Sequence, residues 1–126
     1  MTNVLKLFRI AEKGERQICF YHPGVGTVGR INPWRRVRQK IVEVIGLATG
    51  YGLDDNVLAA YRFLVENWRE GDRIYLFGFS RGAWTVRVLS GFLHLIGLVR
   101  PAQLNMCDSA LGTYKRASTE NDLPLA

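Results

Sequence analysis

A serine placed between two glycines is the feature of this sequence best suited to chemistry. Gly78-Phe79-Ser80-Arg81-Gly82 is the G-x-S-x-G pattern of a nucleophile elbow, in which the serine occupies a sharp strand-to-helix turn. The pattern predicts Ser80 as the nucleophile, with Gly78 and Gly82 leaving room for the backbone to pass closely. The backbone N–H of Arg81 would then face a developing oxyanion at the start of the helix. The alternative interpretation is a glycine-rich turn with an inert serine.

The residues on either side of this motif predict the elements that an elbow requires. Residues 73–77 form a short apolar, β-branched and aromatic run after a Gly71-Asp72 turn, which is typical of a buried strand. Residues 82–96 carry apolar side chains at helical spacing on most sides. A strand followed at once by a helix is the context in which G-x-S-x-G indicates a nucleophile.

A catalytic serine also needs a base within hydrogen-bond reach and an acid that orients the base. His94 lies about 20 Å along the predicted helix from Ser80, because a helix rises ~1.5 Å per residue, and cannot be the base. His22 follows a predicted strand over residues 17–21 and would lie at the sheet edge that carries Ser80. His22 is therefore the candidate base; the alternative is a loop residue packed beside the elbow. The carboxylates are better explained as helix caps or turn residues: Asp54, Asp55 and Asp72.

The rest of the chain predicts helices that flank the two strands. We expect an α/β fold with parallel strands, in one domain over residues 1–116 followed by a flexible tail over residues 117–126. Cys19 falls in an apolar run and is predicted to be a core residue. The further helices are expected over residues 3–13, 33–45 and 54–69.

A dinucleotide site is a competing interpretation that the sequence itself argues against. Residues 24–29 read G-x-G-x-x-G after a predicted strand, with Glu43 at a suitable distance downstream. The helix that such a site requires would contain Pro33 in its interior, at a cost of ~3 kcal/mol. No cofactor is predicted, and the two cysteines, Cys19 and Cys107, lack metal-ligand spacing.

The charge of the chain leans toward anionic partners. The 126 residues carry a net charge of +6, and part of it lies in the predicted helix over residues 33–45. The cluster is either a solvated helix face or a peripheral contact with anionic lipid. Few aromatic residues interleave it, so nucleic acid is not expected. The cluster consists of Arg35, Arg36, Arg38 and Lys40.

No signal peptide or apolar span is present, so we expect a cytoplasmic protein as synthesised, with secretion through a dedicated apparatus allowed.

Several segments resemble the catalytic domain of the type VI secretion phospholipase effector family. The most specific is residues 71–83 (GDRIYLFGFSRGA), supported by residues 21–27 (YHPGVGT), 50–53 (GYGL) and 60–64 (AYRFL). The resemblance extends from Thr2 to about Arg116. It implies the α/β-hydrolase fold and a serine hydrolase that acts on esters, with membrane phospholipids as the substrate of secreted members.

The resemblance also implies that parts of the family's site lie outside this sequence. The family's domain starts with a strand that ends in Asp-Gly-Thr, and its triad acid and histidine follow beyond the last residue here. We therefore expect a partial domain that holds the nucleophile but hydrolyses esters poorly alone. The competing expectation is a non-catalytic interaction module that binds a partner strand, an anionic surface, or a complementing chain that supplies missing strands.

Overall fold

The computed structural model describes residues 2–23 and 53–120 of the chain. Within these ranges the chain forms four α-helices and one 3₁₀ helix. We number the α-helices in chain order. They are α1 (Asn3–Ile10), α2 (Leu53–Asn67), α3 (Arg81–Ile96), the 3₁₀ helix (Pro101–Met106) and α4 (Cys107–Glu120).

The expected α/β fold with parallel strands is wrong for the part of the chain that is described. Residues 17–21 and 73–77 form no strand, and the β-type pairing seen there is an isolated antiparallel bridge between Gly14 and Gln17. This bridge closes a tight turn with hydrogen bonds of 2.9 and 3.3 Å. A strand exists only when a neighbouring segment completes its hydrogen bonds, and among the described residues neither apolar run has such a neighbour. The composition of residues 17–21 and 73–77 indicated apolar segments, but it could not show whether another segment would pair with them.

The helix predictions over residues 54–69 and 82–96 are confirmed, because α2 and α3 begin and end within two residues of them. Thr2 caps α1 as expected, with its hydroxyl accepting a hydrogen bond from the Leu5 N–H at 3.3 Å. The first helix ends at Ile10 rather than residue 13, because Ala11 adopts extended backbone angles. The helix predicted over residues 33–45 lies outside the described residues.

The C-terminal helix is longer than the tail prediction implied. α4 reaches Glu120 and so includes the first residues of the predicted tail over residues 117–126. The remaining tail residues lie outside the described part of the chain. Among the described residues no single helix is both long and apolar enough to cross a membrane; α3 and residues Pro101–Ser118 would meet that criterion only when taken together, and they are bent by 113° relative to each other.

The core lies where α2, α3 and α4 meet. Tyr61 and Phe92 are fully buried at its centre, with ring centroids 4.4 Å apart, and the Tyr114 ring lies 5.6 Å from that of Phe92. Cys107 is buried in this core, whereas Cys19, which was expected there, is only half-buried. Burial raises the pKa of the Cys107 thiol, and the nearby Arg62 guanidinium offsets only part of this effect. The other buried side chains are Val57, Leu58, Val65, Leu89 and Leu111.

The hydroxyl of Tyr61 joins α2 to the segment that leaves α3. It donates a hydrogen bond to the Gly97 carbonyl at 2.8 Å and accepts one from the Val99 N–H at 3.0 Å. Burial raises the pKa of Tyr61, partly offset by the hydrogen bond from Val99, so the hydroxyl keeps its proton at neutral pH and can donate it. Gly97 has a φ of 75°, which favours glycine and ends α3 at this point.

Two ion pairs connect α2 to α4 at the surface. Arg62 contacts Asp108 at 2.7 Å, and Asp54 contacts Lys115 at 2.6 Å. About half of each side chain remains exposed, so each pair contributes roughly 0–1 kcal/mol. The contact between α2 and α4 therefore depends mainly on the buried side chains between the two helices.

We expect Tyr61→Phe to lower the free energy of unfolding by about 1–3 kcal/mol, because it leaves the Gly97 carbonyl and the Val99 N–H without their partner. Urea denaturation followed by circular dichroism measures this change. Tyr114→Phe is the matched control, since that ring is buried but its hydroxyl makes no hydrogen bond within the described residues. Equal losses in the two variants would contradict the role given to the Tyr61 hydroxyl.

Candidate active site

Ser80 immediately precedes α3 in a strained backbone conformation. Its φ of 56° and ψ of −123° make it the one non-glycine residue with positive φ in the described part of the chain. Such a conformation costs a residue with a Cβ about 1–3 kcal/mol and persists only where the surroundings enforce it. The side chain is exposed and does not cap the helix, so its hydroxyl is not used in stabilising α3.

A tight turn around Ser80 imposes these angles. The Gly82 N–H donates to the Phe79 carbonyl and the Ala83 N–H donates to the Ser80 carbonyl, each at 2.9 Å. The chain therefore reverses at Ser80 and enters the helix within one turn. This is the backbone path by which an elbow would present a serine side chain to solvent.

The two glycines of the motif have different steric roles. A Cβ on Gly78 would overlap the carbonyl group of Gly82 and lie 2.7 Å from the Ala83 nitrogen. A Cβ on Gly82 would meet nothing within 4 Å. The close backbone approach thus requires glycine at position 78, whereas no described contact explains glycine at position 82.

Arg81 is the first residue of α3, where the partial positive charge of a helix is concentrated. The helix has 16 residues and no acidic residue in its first turn to neutralise this charge. The Arg81 carbonyl accepts a hydrogen bond from the Thr85 hydroxyl at 3.2 Å. An anion placed beside Ser80 would therefore be stabilised by the helix N-terminus.

The two histidines lie in different parts of the fold. His94 is exposed in the last turn of α3, at the opposite end from Ser80, as expected. His22 is exposed, and its ring lies 6.5 Å from that of Phe20, which stacks on Phe63 of α2 at 4.9 Å. His22 was placed near Ser80 by assuming a shared sheet. The described residues contain no sheet, so the proximity of His22 to Ser80 loses this support. The role of His22 as a base stays a prediction.

The carboxylates have structural partners. Asp54 lies in the first turn of α2 and pairs with Lys115, and Asp108 pairs with Arg62. The Asp72 carboxylate accepts a hydrogen bond from the Arg69 N–H at 2.8 Å, which confirms its place in a turn. No role was predicted for Asp108. Its ion pair with Arg62 joins two helices that are far apart in the sequence, and such a contact cannot be inferred from neighbouring residues. In the described ranges, no group of three or more acidic, histidine or cysteine residues is arranged to hold a metal ion.

Exposed aromatic side chains flank Ser80 in the sequence. Phe79, the residue before Ser80, is 66% exposed, and Phe77 and Trp84 are 59% and 43% exposed. The prediction that residues 73–77 are a buried strand is therefore wrong in its burial as well as in its pairing. The basic cluster at Arg35, Arg36, Arg38 and Lys40 and the glycine motif over residues 24–29 lie outside the described residues.

Comparison with known proteins identifies a family over most of the chain. The model of the type VI secretion system (T6SS) phospholipase effector Tle1-like catalytic domain matches residues 1–124. An uncharacterized protein of the yeast Saccharomyces cerevisiae is 37% identical over 121 residues, which cover 91% of this chain and 18% of that protein. The chain thus spans less than a fifth of the length of this curated relative. No solved structure matches.

We expect Gly78→Ala to lower the free energy of unfolding by about 1–3 kcal/mol, because its Cβ overlaps the Gly82 backbone and must open the turn. Gly82→Ala is the matched control: its Cβ meets no atom within 4 Å, and alanine within a helix is favoured over glycine. Thermal or urea denaturation of both variants measures the difference. Equal stability of the two variants would contradict the turn geometry described for Ser80.

Proposed function

This chain belongs to the family of the type VI secretion system phospholipase effector Tle1-like catalytic domain, and from that premise we propose that it carries the nucleophile of a serine hydrolase acting on ester bonds. Ser80 is the proposed nucleophile. The observation that supports it best is the strained backbone of an exposed serine at the N-terminus of a 16-residue helix. A serine with a merely structural role has no need of such a conformation.

The proposed reaction is acyl transfer through Ser80. Its Oγ attacks the ester carbonyl carbon while its proton passes to a base, for which His22 is our candidate. The negative charge that develops on the carbonyl oxygen is stabilised by the backbone N–H of Arg81 and the N-terminus of α3. The tetrahedral intermediate then expels the alcohol, and water releases the acid from the acyl-enzyme. Gly78 and Gly82 are the proposed turn residues, and no cofactor is required.

A phospholipid is the substrate class that we propose. The family's name gives a phospholipase, and the exposed aromatic residues Phe77, Phe79 and Trp84 lie close to Ser80 in sequence and suit an apolar acyl chain. The basic residues Arg35, Arg36, Arg38 and Lys40 would add a peripheral contact with anionic headgroups.

The proposed site contains a nucleophile without an assigned acid. Asp54 and Asp108 are in ion pairs with Lys115 and Arg62, and the Asp72 carboxylate accepts a hydrogen bond from the Arg69 N–H, so none of these three is proposed as the triad acid. A lost oxyanion donor costs ~10²–10³ in rate, and a lost triad member costs roughly 10⁴–10⁶. We therefore propose that this chain alone is a weak catalyst.

A second candidate function is a non-catalytic interaction module. It is favoured by the exposed aromatic residues of the segment before Ser80, whose backbone makes no hydrogen bond to another described segment. Such a segment can accept a strand from a partner, including a complementing chain. Ester hydrolysis distinguishes the two candidates, because a binding module does not depend on the Ser80 hydroxyl.

We expect the purified chain to hydrolyse a p-nitrophenyl ester slowly, with the residual rate abolished in Ser80→Ala, since the nucleophilic oxygen is then missing. His22→Ala should cause an equal loss if His22 is the base. His94→Ala is the matched control, because that imidazole lies at the far end of α3 and should leave the rate unchanged. A rate that Ser80→Ala leaves unaltered would contradict the nucleophile assignment.

A further inference from the structure

The exposed side of α3 begins where Ser80 joins the helix. Trp84 and Arg87 follow Ser80 by about one and two helical turns, so they lie on that side. Both side chains are exposed. The opposite side, which carries Leu89 and Phe92, is buried in the core. A substrate bound at Ser80 would therefore have Trp84 and Arg87 beside it.

Arg87 carries a positive charge without an acidic partner in the described ranges. Its side chain makes no ion pair, hydrogen bond or ring contact there, and α3 contains no acidic residue. Arg62 of α2 is also exposed, but it pairs with Asp108 at 2.7 Å. The guanidinium of Arg87 is thus available to an anion that arrives from solvent.

The separation of Arg87 from Ser80 suits a phospholipid. Two turns of helix span about 10 Å, and side chains on a helix lean toward its N-terminus, so the Arg87 guanidinium can reach back toward Ser80. In a glycerophospholipid the ester carbonyl carbon and the phosphorus are roughly 6–8 Å apart when the intervening bonds, each about 1.5 Å, are extended. An ester carbonyl at Ser80 would thus bring the phosphate within reach of Arg87.

We propose that Arg87 binds the phosphodiester of a phospholipid whose ester carbonyl lies at Ser80, an inference that rests on the proposed function. A guanidinium donates two parallel hydrogen bonds to phosphate oxygens, so Arg87 fixes the headgroup relative to Ser80. Trp84 lies between them along the helix, and its 43% exposed side chain offers an apolar surface to the glycerol and acyl carbons. Arg87 is thus a specificity-determining residue.

Two positive groups of α3 then meet two negative groups of the substrate. The helix N-terminus at Arg81 stabilises the oxyanion that develops on the ester carbonyl, and Arg87 stabilises the phosphate. A neutral ester or glyceride has no group for Arg87 to bind. The chain should therefore bind a phospholipid more tightly than a neutral lipid with the same hydrocarbon chains.

An NMR titration of the full chain with a short-chain diether glycerophosphocholine tests the proposal. This probe has the phosphodiester but no ester bond, so its binding is measured whether or not Ser80 is a nucleophile. We expect the indole N–H signal of Trp84, assigned with a Trp84→Phe variant, to shift on binding. The indole N–H of Trp68, which donates to the Asp72 carbonyl at 3.2 Å, should not shift.

Arg87→Gln should weaken binding of the diether phospholipid at least fivefold, because it removes the charged donor to the phosphate. The matched control is Arg100→Gln, which removes the same charge from an exposed residue beyond the far end of α3 and should leave the affinity unchanged. A glycerol diether without the phosphate should bind the unmodified chain and Arg87→Gln equally. Circular dichroism verifies that both variants keep their helices.

Equal affinities of Arg87→Gln and Arg100→Gln for the diether phospholipid would overturn the proposal, because any loss would then reflect net charge alone. No binding of the probe, or binding without a shift of the Trp84 signal, would do the same. Inorganic phosphate that binds as tightly as the lipid would overturn the lipid assignment in favour of a site for free phosphate. The probe cannot be hydrolysed, so these outcomes are distinct from failure of the ester assay, which tests Ser80 as the nucleophile.

Discussion

The described fold depends on the packing around Tyr61. Its ring fills the centre of the core between α2, α3 and α4, and its hydroxyl holds the backbone at Gly97 and Val99, where the chain leaves α3. A buried phenol that kept its hydroxyl unpaired would cost the fold about 1–3 kcal/mol, so the two hydrogen bonds allow a large, polar-tipped side chain to occupy the core. Tyr61 thus holds α2 against α3 and against the segment that follows α3, whereas the exposed ion pairs join α2 to α4 and contribute little.

The conformation of Ser80 is in turn maintained by that position. Leu89 and Phe92 anchor α3 in the core, and the start of the helix is held against Gly78 by a close backbone approach. Strained backbone angles persist only when the surrounding structure over-determines them. The stability of the core thus sustains the local strain, and the strain presents an exposed hydroxyl at the positive end of a helix. In this way the stability of the helical core supports the proposed chemistry at Ser80.

Features that depend on local interactions could be predicted from the sequence, whereas features that depend on distant segments could not. α2 and α3 followed from the spacing of apolar residues, and Thr2 was identifiable as a cap, because these features depend on neighbours in the chain. The strands over residues 17–21 and 73–77 were wrong because strand formation depends on a partner segment that local sequence does not reveal. A Cβ at position 78 would overlap the Gly82 backbone and one at position 82 would meet no atom within 4 Å, so the sequence motif did not reveal which of its two glycines the backbone path needs. The family followed from the residues around Ser80, while the position of His22 relative to Ser80 depended on a sheet and could not be derived.

The central claim is that Ser80 is held in a strained conformation that serves the proposed chemistry rather than stability. The most direct test compares the free energy of unfolding of Ser80→Gly with that of Ser80→Ala, measured by urea denaturation. Both variants lack the hydroxyl, which makes no capping hydrogen bond, but only alanine keeps the Cβ that opposes a φ of 56°. After the entropic cost of glycine in the unfolded chain, ~0.5–1 kcal/mol, we predict that Ser80→Gly is the more stable variant by about 1 kcal/mol. A Ser80→Gly variant that is equally or less stable than Ser80→Ala would contradict the account.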